Sequence, residues 1–289
     1  MSAHETNLSR RFSHHKTTVN GIQLHYVTGG IGPPVLLLHG WPQTWWEWRH
    51  IMPALAENFT VFALDLRGFG DSEKVPPESG YDAANLCADL LALLDRLDLR
   101  SVNLVGHDLG GLVAYAFTRF HSDRVERLAL ADTPLPLYDL EVPEWSEIEK
   151  RLWHQRFHQV PYLPEALITG RERLYLSWFF SSAYDPTAIG PEDIDEYVRT
   201  YASPGGLSSG FAFSRAIDRS AAQVKAAAHG KMTTPLLFLG SEMTLQDVFD
   251  EPLKQIAANV KTVVVPRSGH WMPEENPDFF TEQLLSFLE

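Results

Sequence analysis

The sequence predicts an α/β fold: a mostly parallel, doubly wound sheet with a helical segment inserted between two of its strands. Three observations predict it. Short apolar runs alternate with longer stretches of helical periodicity. A glycine-rich run, Gly106 to Gly111, stands between one such strand and the helix that follows it. A long central stretch then breaks the alternation with helical pattern alone.

Taken in order, Val19 to Val27 reads as a strand pair around the Asn20-Gly21 turn, a dipeptide suited to tight hairpins. Before it, His14-His15-Lys16 reads as a solvated tail. Gly29-Gly30-Ile31-Gly32 lacks the lysine and following helix of a phosphate loop and reads as a turn. Val35 to His39, Val61 to Asp65, Val102 to Gly106, Leu128 to Ala131, Pro235 to Gly240 and Val260 to Val265 are apolar runs ending near Gly, Pro or Asp. Strands covered on both faces look like this. Leu86, Leu90, Leu93, Leu94 and Leu97 give Ala83 to Leu97 a helical spacing; Leu112 to Phe120 is similar, and Pro277 opens a helix to Leu288. From Pro134 to Lys231 the pattern is helical and rich in aromatics, among them Trp145, Trp153, Phe157, Tyr162, Tyr175, Trp178, Phe179 and Phe180. The expected organisation is a core of residues 1–133 and 232–289, with a cap of residues 134–231 over the C-terminal ends of the strands.

Composition excludes several classes. The 289 residues are 44% apolar and 21% charged, an ordinary globular balance. Lys and Arg number 24 against 37 Asp and Glu, a net −13 that opposes both nucleic acid and anionic lipid. Cys87 is the single cysteine, so no internal disulfide and no multi-cysteine zinc site can form. The opening MSAHETNLSRRFSHHKTT has no apolar core of the signal-peptide kind, and no apolar run approaches a bilayer span. A soluble, cytoplasmic protein is expected.

The chemistry centres on Gly106-His107-Asp108-Leu109-Gly110-Gly111. Small residues at 106, 110 and 111 permit a sharp strand-to-helix turn that presents residue 108 in front of a helix N-terminus. The familiar residue there is serine; here it is aspartate. A carboxylate is ionised at neutral pH, and the positive end of the helix keeps it so. It suits displacement at a saturated carbon bearing a strained or good leaving group, and leaves an ester of the enzyme for water to cleave. Taken alone, Asp108 would equally suit a helix cap.

Cleaving that ester needs a base. His270, in Ser268-Gly269-His270-Trp271 after the last strand, occupies the place that chain order assigns to it. Its orienting carboxylate is expected at Asp132, at a strand end, with Glu242 second and Asp247 further into its loop. His39-Gly40-Trp41-Pro42 follows a buried strand, and the Trp41 and Leu109 amides are the candidate oxyanion donors. Of Trp41, Trp45, Trp46 and Trp48, only Trp41 is expected to meet substrate. The loop Asp65 to Ser72 is assigned a structural role.

With these residues in place, the chain from about residue 17 to its end resembles the α/β-hydrolase-fold epoxide hydrolases with an aspartate nucleophile. His39 to Pro42, Gly106 to Gly111 and Gly269-His270-Trp271 carry the likeness as a set. Trp153-His154, Leu167 to Glu172 and Asp132 resemble the Cif-type epoxide hydrolases. There a cap histidine and a cap tyrosine hold the departing epoxide oxygen. The resemblance maps the histidine onto His154 and the tyrosine onto Ser214, before Arg215, with His154 alone, a water held by Ser214, or a tyrosine such as Tyr175 or Tyr201 as candidate substitutes.

The activity implied is hydrolysis of an epoxide to a vicinal diol through an Asp108 ester. Asp132 and His270 serve hydrolysis, and His154 serves ring opening. Trp153, Ser214 and Trp178 are the expected substrate contacts. The implied partner is a small, apolar epoxide, with no metal or organic cofactor and a homodimer as the candidate assembly. The alternative is a dehalogenase using the same Asp–His chemistry. Leu109 and Leu112 stand where fluoroacetate dehalogenases place arginines for the substrate carboxylate, which argues against an anionic substrate. A silent binding protein of the same fold and a simple esterase are the further rivals.

Overall fold

Val35 and Leu37 pack into one apolar layer while Leu36 and Leu38 pack into another. Alternate residues of a strand face opposite sides, so one wholly apolar run can feed two cores. The computed structural model describes residues 8–133, 135, 150, 152–244 and 249–289. Its strands are β1 (Ser13–Val19), β2 (Ile22–Gly29), β3 (Pro34–Leu38), β4 (Thr60–Asp65), β5 (Val102–His107), β6 (Val125–Ala131), β7 (Leu236–Ser241) and β8 (Val260–Val265). They form an 8-stranded sheet in the order β1-β2-β4-β3-β5-β6-β7-β8. β1 and β2 join antiparallel; every pairing from β4 to β8 is parallel. This is the α/β-hydrolase architecture.

The helices are α1 (Met52–Leu55), α2 (Ala83–Arg96), α3 (Asp108–Phe120), α4 (Trp153–Gln159), α5 (Leu163–Ile168), α6 (Glu172–Phe180), α7 (Pro191–Tyr201), α8 (Gly206–Ala227), α9 (Asp250–Ile256), α10 (Met272–Glu275) and α11 (Pro277–Leu288). Among the described residues between β6 and β7, α4 to α8 are the regular elements and no strand occurs. The long helix α8 is tied to the sheet's own helices: Ser220 Oγ and Gln223 Oε1 accept the Ala83 and Ala84 amides, 3.0 Å each, capping α2. None of the described helices is long and apolar enough to cross a membrane.

Chain order reverses at β3, which lies between β4 and β5. In a doubly wound sheet the loops on either side of such a switch diverge and leave a crevice beyond the strand ends. The loop after β3 and the β5–α3 junction both open there.

Two expectations are corrected. Val260 to Val265, expected to be covered on both faces, forms the edge strand β8, where Lys261 and Val264 are exposed. His14-His15-Lys16 is not a solvated tail but part of β1, with His14 opposite Val27 and His15 opposite Tyr26. The strand lies at the sheet edge and is largely exposed, so its side chains need no apolar pattern. The Asn20-Gly21 turn has positive φ at both residues, +48° and +78°, as a hairpin of this length requires.

The loop after β4 is pinned by charge. The Arg67 guanidinium meets both Asp89 oxygens on α2, at 2.6 and 2.7 Å, and donates to the Ser79 and Gly80 carbonyls. Both side chains are buried. Removing one partner strands the other's charge in the interior. Arg67→Met is therefore expected to lower the unfolding free energy by about 3 kcal/mol in urea titration; a loss below about 1 kcal/mol would show the pair to be solvated.

Candidate active site

β5 ends at His107, and Asp108 opens α3 with φ of +48°. That left-handed conformation costs a non-glycine residue about 1–3 kcal/mol and aims its side chain out of the turn. The helix presses on the end of β3: a Cβ on Gly110 would run into the Leu38 and His39 carbonyls. Gly40 is as tightly placed. A Cβ there would lie 2.7 Å from Asp108 Cβ and 3.1 Å from its Oδ2. The bare glycine lets the loop pass across the carboxylate, and the Trp41 amide donates to Asp108 Oδ2 at 2.9 Å. Leu109, second residue of α3, has an amide among the first-turn donors that no intrahelical carbonyl can accept.

The other carboxylate oxygen faces an imidazole. His270 Nε2 lies 3.8 Å from Asp108 Oδ1, beyond a hydrogen bond. His270 Nδ1 lies 2.6 Å from Asp132 Oδ2. A carboxylate can only accept, so Nδ1 donates to Asp132, and Nε2 is the ring atom turned toward Asp108.

Asp132 follows β6 with φ of +41° and is buried. Its Oδ1 accepts from Thr244 Oγ1 at 2.5 Å and Ser241 Oγ at 3.2 Å. Burial pushes its carboxyl up, but the hydrogen bond and charge of His270, the Thr244 hydroxyl and the charge of His107 outweigh it and hold it below the usual range. The rival Glu242 turns elsewhere and accepts the Arg267 amide at 2.6 Å. Asp247 lies outside the described residues, as does Trp145 in the aromatic segment.

Above the carboxylate the described surface is aromatic. The His154 ring on α4 stacks on Trp41, with centroids 5.3 Å apart and planes within 16°. Phe179 meets both rings edge-on, at 5.0 Å from His154 and 4.7 Å from Trp41. Ser214 on α8 is buried; its carbonyl accepts Gln159 Nε2, and its neighbour Arg215 pairs with Glu165. Trp153 and Trp178 are placed differently, 43% and 56% exposed, packed on each other and against Phe179. The structure therefore brings Asp108, His270, Asp132, Trp41 and His154 together, and leaves Trp178 at the surface behind Phe179.

Two further aromatic residues complete this layer. Tyr175 has its hydroxyl 2.6 Å from His158 Nε2. Burial, with the charges of His154 and Arg215, drives the His158 pKa down to about 2, so its Nε2 accepts and Tyr175 donates. Tyr201 is buried at the edge of Trp41, and its hydroxyl has no hydrogen-bond partner among the described residues. Burial and the charges of Asp108 and Asp65 hold it protonated. The partners Ser241, Thr244 and His158 escaped the sequence reading, since no local pattern joins them to the residues they serve.

Residues 33–277 match the α/β hydrolase fold family, and residues 1–48 match the epoxide hydrolase N terminus. A soluble epoxide hydrolase of Corynebacterium sp. (strain C12) is 38% identical over 97% of this chain and 99% of its own. The crystal structure of Cfl2 from Burkholderia cenocepacia superposes with a TM-score of 0.90 at 38% identity, over 96% of each chain. The Cif epoxide hydrolase of Acinetobacter nosocomialis, at 24% identity over 97% of this chain and 90% of its own, shares the fold with a TM-score of 0.86. By sequence along its whole length and by architecture, the chain belongs to the epoxide hydrolases of the α/β-hydrolase fold family and is a hydrolase.

Proposed function

We propose that this enzyme hydrolyses an apolar epoxide to a vicinal diol through an ester on Asp108. The observation that carries the reading is the division of one carboxylate: Oδ2 on the Trp41 amide, Oδ1 toward His270. Oδ1 attacks a ring carbon from behind, the carbon–oxygen bond breaks, and the electron pair leaves on oxygen. His154, stacked over Trp41, holds that oxygen by a hydrogen bond and supplies its proton. Ser214 stands in the place of the family's cap tyrosine. Tyr175 is committed to His158, so the buried Tyr201 hydroxyl is the one we assign as the second donor to the departing oxygen.

In the second step, water attacks Cγ of the ester and His270 Nε2 takes its proton, while Asp132 steadies the imidazolium that forms. Negative charge develops on Oδ2, where the Trp41 amide already points, joined by the amide of Leu109. Collapse breaks the Cγ–Oδ1 bond; the departing diol oxygen takes the proton from His270, the proton left on the regenerated Asp108 carboxyl passes to solvent, and solvent restores the one His154 gave. No step calls on a metal or an organic cofactor. Helices α4 to α8, the described part of the proposed cap, lie over the site from above.

His270→Gln should accumulate an Asp108 adduct with a reactive epoxide, seen as a mass increase equal to the epoxide; an active wild type beside an unmodified variant would count against the ester. Single turnover of the wild type in 18O-water should leave label in Asp108, and halide release from a chlorinated panel would favour dehalogenation instead. His154→Phe is expected to slow ester formation roughly a hundredfold and ester hydrolysis far less. Tyr201→Phe should act on the same step in the same direction, whereas Tyr175→Phe should not; rapid-quench kinetics separate the two steps.

A further inference from the structure

Behind the nucleophile lies a charged network that the reaction scheme leaves unused. His107, at the end of β5, is fully buried, and so is Glu47 on the 3-10 turn Trp45–His50. His107 Nε2 lies 2.8 Å from the His270 carbonyl oxygen, and Nδ1 lies 3.3 Å from Glu47 Oε2. That same Glu47 oxygen accepts the Gly40 amide at 3.2 Å. A carbonyl oxygen has no proton to give, so Nε2 carries one. With Glu47 as a carboxylate, which only accepts, Nδ1 carries a second proton.

We propose that His107 and Glu47 form a buried imidazolium–carboxylate pair that positions two loops for ester hydrolysis. One ring grips the His270 loop by its carbonyl and, through Glu47, the loop whose next amide, that of Trp41, holds Asp108 Oδ2. The step this pair serves is taken from the scheme proposed above; the charge of the pair is not. Both are positioning residues, since neither meets the reacting atoms.

The charged groups around the ring agree. Glu47 faces it from the turn, Asp108 follows it in the chain, Asp132 lies at the end of β6, and the His270 ring is centred 4.8 Å away. Burial opposes the charge on His107, but Glu47, Asp108 and Asp132 outweigh it and hold the pKa up at about 9. Behind Glu47, Arg49 pairs with the buried Glu274. A histidine whose pKa is raised by folding keeps its charge at neutral pH and loses it as pH climbs through that raised value.

Nitrogen NMR of ring-labelled histidines reads the charge without reference to turnover. At pH 7 the wild-type His107 should show both ring nitrogens protonated, losing one proton near pH 9. Glu47→Gln should leave one ring nitrogen bare at pH 7. It should slow ester hydrolysis roughly ten- to a hundredfold with ester formation changed less than about twofold, and remove the fall in hydrolysis rate above pH 9. Glu47→Asp should keep the doubly protonated ring and recover part of the rate. A bare ring nitrogen in the wild type at pH 7, or a Glu47→Gln variant that slows both steps alike, overturns the proposal. Failure to trap any ester, with the doubly protonated ring intact, would instead overturn the reaction scheme and the positioning role drawn from it.

Discussion

The Trp41 amide holds Oδ2 of Asp108 at 2.9 Å while Oδ1 turns toward His270, and this division of one carboxylate constrains everything near it. Left to itself, a carboxylate at a helix N-terminus would fold back onto the first-turn amides as a cap. Here the left-handed backbone at Asp108 swings it outward, and the glycine at position 40 lets a second loop reach it from above. The strain is tolerated because the turn follows the wholly buried β5, which pairs with β3, buried but for Pro34. β3 and β5 contribute to cores on both faces of the sheet, and their apolar burial exceeds a few kcal/mol of local strain many times over.

Strand order supplies the second constraint. The reversal at β3 puts the ends of β3 and β5 side by side, so the loops carrying Trp41 and Asp108 meet although 67 residues separate them. β6 lies next along the sheet and delivers Asp132; β8 lies at the far edge, and the chain after it returns His270 to the crevice. The base and its carboxylate come from different strand ends and are 138 residues apart in sequence. Two-way anchoring of this kind holds distances of a few tenths of an ångström better than one long loop could.

What the sequence makes legible follows from locality. The Gly106–Gly111 turn can be read because one short run must satisfy a strand end, a helix start and a close backbone approach together. The buried strands can be read because double-sided burial demands continuous apolar residues. β1 could not, since an edge strand made of Ser-His-His-Lys satisfies its backbone by pairing and asks nothing of its side chains. The choice between Asp132 and Glu242 was open in the sequence, because both follow strands; only the packing of β6 against β7 sends Asp132 to His270 and Glu242 to the Arg267 amide. Trp178 reads as a substrate contact by its chemistry, but a helix of aromatic residues has two faces, and this one carries Phe179 inward and Trp178 outward. Helical periodicity does not say which partner a face will meet.

The electrostatics divide along the plane of the nucleophile. Below it lie His107, Glu47, Arg49 and Glu274, all buried and paired. Above it lie Trp41, His154, Phe179 and Tyr201, rings with few polar atoms. The lower layer can be densely charged because its groups neutralise each other at fixed distances, and no ligand need enter. In the proposed scheme the upper layer receives the substrate beside the Asp108 side chain. An anionic substrate would bring a second negative charge against Asp108, and the buried Leu109 and half-buried Leu112 of α3 cannot pair with it. Bringing two like charges together in a low-dielectric crevice costs several kcal/mol. In the proposed scheme a neutral epoxide avoids that cost in the ground state, and the charge it develops appears on the far side of the breaking bond, the side assigned to His154 and Tyr201. In that scheme the separation of an aromatic roof from a charged floor suits one carboxylate to attack carbon in the first step and to take water at its own carbonyl in the second.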